Sequence, residues 1–115
     1  MERTRLGYLL VAAGGFVGAV ARYGVDVAAG DTTGLGTLAV NLVGSLALGV
    51  IVGSAATTRT RLFVATGALS SFTTYSTFVG DAVALGTLTG SAYVAASYAL
   101  GFASAAVGLL IGGRL

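Results

Sequence analysis

The 115-residue sequence contains no cysteine and no histidine, which removes disulfides, thiol chemistry and the commonest metal ligands from the functions open to it. Charge is almost as scarce. Six arginines and four acidic residues make up 9% of the chain, where an ordinary soluble domain carries about 25% charged residues. A net charge of +2, scattered along the chain, does not make a nucleic-acid surface. No acid lies deep in a long apolar run, since Glu2 is in the N-terminal tail and Asp26, Asp31 and Asp81 fall near run ends. Proton-coupled carriers usually need such a buried carboxylate. No nucleotide-binding or hydrolytic signature is present, so the chain is not expected to be an enzyme.

What remains is apolar. Hydrophobic residues make up 56% of the sequence, and charge-free runs extend over 6–21, 32–58, 62–80 and 82–113. About 20 mostly apolar residues cross a bilayer as a helix, so the runs predict an all-α membrane protein with four transmembrane helices at 6–28, 35–54, 62–85 and 91–112, in a single domain over 1–115. The ten-residue alternation of a membrane barrel is missing, and helices satisfy the backbone within lipid. Because the apolar character continues past the first run, that run is expected to stay as a span rather than leave as a signal peptide.

Four spans place Arg3, Arg5, Arg59, Arg61 and Arg114 on one side of the membrane and only Arg22 on the other. Arginine bias in short loops sets orientation, which predicts a multi-pass protein of the cell membrane with both termini cytoplasmic. Of the 19 glycines, Gly14 and Gly18, Gly49 and Gly53, and Gly108 and Gly112 recur at a spacing that lets helix backbones approach. That spacing serves packing within one four-helix unit, contact with a second subunit, or both.

The third span is the most informative. Ser70, Ser71, Thr73, Thr74, Tyr75, Ser76 and Thr77 crowd its middle, and so many side chains competing for backbone hydrogen bonds predict a helix broken at mid-membrane. Non-helical backbone at that depth must lie inside protein or beside a watery cavity. In the second span Thr37, Asn41 and Ser45 share one face by i, i+4 spacing, and Tyr93, Ser97 and Ser104 form a weaker track in the fourth. An uncharged track of donors suits a small, strongly hydrated anion, because donors replace its water without a cation that would hold it. Ring edges add partial positive charge, and Phe72, Tyr75 and Phe78 sit among the hydroxyls. Arg22, near a span end, is either an electropositive entrance or a side chain reaching the interface.

The run Thr73-Thr74-Tyr75-Ser76-Thr77-Phe78 resembles the Thr-Thr-Phe-Ser-Thr-Phe signature of the CrcB family of Fluc-type fluoride channels. Gly14-Gly15 through Gly18-Ala19 to Arg22-Tyr23 resembles the first-helix motif of that family, and Gly36-Thr37-Leu38 with Val40-Asn41 and Gly44-Ser45 resembles its second. The resemblance implies a subunit for passive export of cytoplasmic fluoride, working in an antiparallel dimer. It implies a structural sodium ion on the backbone carbonyls of Ser70 and Thr73, and a fluoride path along Asn41, Tyr75 and Phe78 with Thr74, Ser76 and Thr77 supplying hydroxyls and Arg22 at a vestibule. The chain departs from the family pattern at Ser70-Ser71, usually Gly-Gly, and at Tyr75, usually Phe. Serine still offers a carbonyl but resists the positive φ that glycine accepts. Since some members pair unlike subunits, these departures and the arginine bias favour a heterodimer over a homodimer.

Two other readings stay open. A small drug-proton exchanger has this size and helix count but needs a membrane-embedded carboxylate in its first helix, where this chain has only Asp26 near the end of the span. A non-conducting membrane subunit would explain the glycines and leave the third-span hydroxyls without a purpose.

Overall fold

The computed structural model describes residues 4–115, and these contain helices and no strand. Helix α1, Arg5–Ala29, starts at Thr4, whose hydroxyl accepts the Gly7 N–H at 3.0 Å, and ends at Gly30, φ +69°. Helix α2, Leu35–Gly53, begins after Gly34, φ +87°. Both lie within a residue or two of the hydrophobic runs that predict them.

The region 62–85 is not one uninterrupted α-helix. A short α3, Thr58–Arg61, leads into a π-helix over Leu62–Leu69, then a three-residue α4, Ser70–Phe72, and, after three non-helical residues, α5, Ser76–Ala84. Thr73 is extended (φ −84°, ψ 167°) and Tyr75 returns to the helical region (φ −101°, ψ −41°). No described residue other than glycine has a positive φ, and Ser70 sits at φ −63°. The interruption therefore needs no glycine, and Ser70-Ser71 is compatible with it.

Helix α6 spans Thr87–Gly112 and starts four residues before the expected 91. Gly86, φ +87°, reverses the chain within two residues of α5. Thr87 and Thr89 read as loop in sequence but suit a first helical turn, where hydroxyls find backbone partners; Ser91 Oγ donates to Thr87 O at 2.5 Å.

Helices α1, α2 and α6 are long and apolar enough to cross a membrane. Val40, Leu62 and Phe78 are the buried large hydrophobic side chains among the described residues, whereas Phe16, Tyr23, Val83 and Phe102 are all more than 70% exposed. Such an inside-out distribution suits a chain whose solvent is lipid.

Two helix pairs organise the molecule, which measures 46 × 28 × 23 Å: α1 against the π-helix and α4, and α2 against α6. Every glycine of the three spaced pairs is used within the chain. A Cβ on Gly14 or Gly18 would strike backbone of Phe63 or Ala68, and one on Gly49, Gly53, Gly108 or Gly112 would strike the facing backbone of α6 or α2. Gly108→Leu should therefore force α2 and α6 apart and cost about 1–3 kcal/mol or more. The expected result is a lower melting temperature in detergent, with Gly101→Ala, whose Cβ meets nothing within 4 Å, as the unaffected control. Equal melting of the two variants would contradict this packing.

The short connections put Arg5, Arg59, Arg61 and Arg114 at one end and Arg22, Asp26, Asp31 and Asp81 at the other. Arg61 also builds its end, donating from Nε to Ala56 O (3.2 Å) and from Nη2 to Ser54 O (3.1 Å) just past α2.

Candidate functional site

The site is organised by Asn41. One turn on either side of it, α2 presents Thr37 and Ser45, and Gly44 leaves room for the Thr73 methyl, which a Cβ at that position would strike. With the chain that close, Asn41 clasps the Thr74 peptide from both sides: Nδ2 donates to Thr74 O and Oδ1 accepts the Thr74 N–H, each at 2.9 Å. These bonds replace the ladder that the interruption removes, since a buried backbone group without a partner costs about 1–3 kcal/mol.

Two grooves flank this clasp and share Asn41, Ser45, Thr74 and Tyr75. The first, about 340 Å³, runs between α2, α5 and α6 and adds Phe78, Ser97, Tyr98 and Phe102; the second, about 310 Å³, runs toward the π-helix and adds Ser70 and Thr73. Phe78, 8% exposed, is the hub of an aromatic cluster with ring centroids 6.0 Å from Tyr75, 5.7 Å from Tyr93 and 6.0 Å from Tyr98, the last edge-on at 88°.

The hydroxyls divide by where their protons go. Ser70 Oγ donates to Ala65 O, Ser71 Oγ to carbonyls of Gly15, Gly67 and Ala68, and Thr73 Oγ1 to Leu69 O; these are engaged with backbone. Thr74 Oγ1 accepts the Thr77 N–H (3.2 Å) and Thr77 Oγ1 accepts from Arg22 Nη2 (2.7 Å). As acceptors there, both keep their own protons to donate. Ser76 is exposed, and its hydroxyl makes no hydrogen bond with a described residue.

Asn41, Thr74, Tyr75 and Phe78 thus come together at the first groove, while Arg22 and Thr77 pair on the α1 side of α5, outside both grooves. Thr37 does not present its proton to either groove. It donates to Asp81 Oδ2 at 2.6 Å, which puts a carboxylate closer to the second-span track than its place near a run end implies.

The sequence reading gives too little weight to α6. Ser97 lines the first groove, and its Oγ is buried without a hydrogen-bond partner among the described residues. Tyr98, Gly101, Phe102 and Ala105 line the same groove at i, i+3, i+4 and i+7, a periodicity readable from sequence. Tyr93 O–H donates to Gly34 O at 3.0 Å and so ties α6 to the start of α2.

The carbonyls of Ser70, Ser71 and Thr73 accept no hydrogen bond from any described residue. Unpaired carbonyls at the end of an interrupted helix are donors of the kind that coordinate sodium, so the residues present fit a monovalent cation. No group of three acidic, cysteine or histidine side chains is available for a divalent metal among the described residues.

Residues 9–109 match the family model described as CrcB-like protein, Camphor Resistance (CrcB). The chain belongs to this family. Relatives of CrcB type include fluoride-specific ion channel FluC 1 of Natronomonas pharaonis, 48% identical over 85% of this chain and 87% of the relative. FluC 2 of Halobacterium salinarum is 49% identical over 89% and 83%, and FluC of Agrobacterium fabrum 44% identical over 92% and 95%. Like a CrcB protein, and in keeping with its three long apolar helices, the chain is a multi-pass membrane protein and not an enzyme.

Proposed function

We propose that this chain is one subunit of a fluoride-specific channel that lets fluoride leave the cytoplasm passively. The carrying observation is the 44–49% identity, over 83–95% of each relative's length, to proteins named fluoride-specific ion channels. The grooves beside Asn41 supply the chemistry. Fluoride gives up its water only where donors replace it, and the Thr74 proton, the second Nδ2 hydrogen of Asn41 and the edges of Phe78 and Tyr75 are such donors, with the Thr77 proton outside the grooves on the α1 side of α5. No fixed cation lies in the first groove to trap the ion, while Arg22 at the α1 side raises the local anion concentration.

In this reading 62–85 is the third of four spans, interrupted at mid-bilayer, and the whole of 1–115 is one domain. Both grooves are open and Tyr75 is 70% exposed, which is consistent with a second subunit, antiparallel to the first, closing them. The Ser70 and Thr73 carbonyls would hold a sodium ion where the two interruptions meet. When bound, that ion neutralises carbonyls left without N–H partners. Arginines gathered at one end favour insertion with both termini in the cytoplasm, so an oppositely oriented chain of the same family is the preferred partner over a second copy.

Reconstituted in liposomes with internal fluoride, the chain should release it on addition of a potassium ionophore, most strongly when a second CrcB chain from the same source is included. Release no faster than from empty liposomes in both preparations would overturn the channel reading; full release by this chain alone would overturn the preference for an unlike partner.

A further inference from the structure

The backbone hydrogen-bonding pattern changes as the chain approaches the interruption. Through Leu62–Leu69 the helix is π rather than α, and its exit is irregular: the Ser70 N–H donates three residues back to Gly67 O, and the Thr73 N–H four back to Leu69 O at 3.0 Å. The three residues of α4 follow, and then three that are not helical. A single turn is the costly part of any helix, so the direction of α4 must be set from outside.

Helix α1 sets it. Gly14 and Gly18 bring the α1 backbone against Phe63 and Ala68, and a Cβ at Gly18 would also strike Ser71 Oγ. In that contact Ser71 Oγ lies 2.8 Å from Gly15 O, 3.1 Å from Gly67 O and 3.2 Å from Ala68 O. A hydroxyl has one proton to give, and the shortest of the three contacts is the one that crosses to α1. On the other flank, Gly44 receives the Thr73 methyl and Asn41 clasps Thr74. Between these two holds lie the unpaired carbonyls of Ser70 and Thr73. A glycine at position 71 would leave the α1 side unlatched.

We propose that Ser71 is a positioning residue whose hydroxyl latches α4 to α1 and so aims the Ser70 and Thr73 carbonyls at a bound monovalent cation. The inference rests on the sodium site of the proposed function. Its test is the melting temperature in detergent of the full chain co-purified with the second CrcB chain of the proposed function, titrated with sodium chloride against N-methyl-D-glucamine chloride at constant ionic strength, for the parent, Ser71→Ala and Ser71→Thr. The sodium midpoint should rise about tenfold in Ser71→Ala, the weight of one net hydrogen bond. At saturating sodium the melting temperature should approach that of the parent, and Ser71→Thr, which keeps the hydroxyl, should stay within about threefold of the parent midpoint. A purely structural role would lower melting equally at every sodium concentration, and an unmoved midpoint overturns the proposal. So does a parent that does not respond to sodium, and fluoride release measured on the same preparation shows whether the channel reading falls with it. Should Ser71→Ala fail to fold, Ser71→Cys, a weaker donor, must move the midpoint the same way by a smaller factor; no movement counts against the latch.

Discussion

Asn41→Asp should reduce fluoride release from liposomes by roughly a thousandfold, the largest effect expected of any single substitution at this site. Two changes act together. The carboxylate cannot donate to Thr74 O, which Asn41 Nδ2 now holds at 2.9 Å, so an oxygen faces an oxygen where the chain leaves its helical ladder. It also places a negative charge on the wall shared by both grooves. Two unit charges 4 Å apart repel by about 4 kcal/mol at an effective dielectric constant near 20, and about 1.4 kcal/mol corresponds to a factor of ten. Asn41→Ala loses the clasp without gaining the charge, so it should fall between the parent and Asn41→Asp. Release by the aspartate variant within tenfold of the parent would show that fluoride does not pass this residue.

The second large effect is expected at Phe78. A cation over an aromatic face in a desolvated site is attracted by about 2 kcal/mol; the ring edge carries the opposite partial charge, and an attraction of about that size is taken for an anion there. Phe78→Ile removes that edge, and fluoride release should fall about thirtyfold by the same conversion. Isoleucine fills most of the volume, but the ring contacts with Tyr75, Tyr93 and Tyr98 disappear with the phenyl group. A modest loss of stability should accompany the loss of release, and melting temperatures measured alongside separate the two. A variant that melts lower yet releases fluoride within threefold of the parent would remove Phe78 from the path and leave it a packing residue.

The grouping of the site was only partly legible. Asn41, Thr74, Tyr75 and Phe78 fall together around the first groove, yet Arg22 and Thr77, equally polar in sequence, pair on another face. Thr37 shares the α2 face of Asn41 by spacing, but its proton goes to Asp81. Residue type and periodicity say which face a side chain occupies; they do not say which partner arrives there from 44 residues away. The same limit left Ser97 in the weakest of the three polar tracks, since its lack of a partner among the described residues is a property of the assembled helices.

Composition and run length determined that this chain is helical and made for a membrane, because the absence of charge over about 20 residues is an energetic requirement of lipid wherever neighbouring helices sit. They also placed α1 and α2 nearly to the residue. Only the tertiary structure decided that Leu62–Leu69 winds as a π-helix and which hydroxyls between Ser70 and Thr77 keep a proton to donate. The energy difference between i→i+4 and i→i+5 bonding, or between a backbone and a side-chain acceptor, is small locally. It is settled by what α1 and α2 press against the segment: Gly14, Gly18 and the Gly15 carbonyl on one flank, Gly44 and the Asn41 amide on the other.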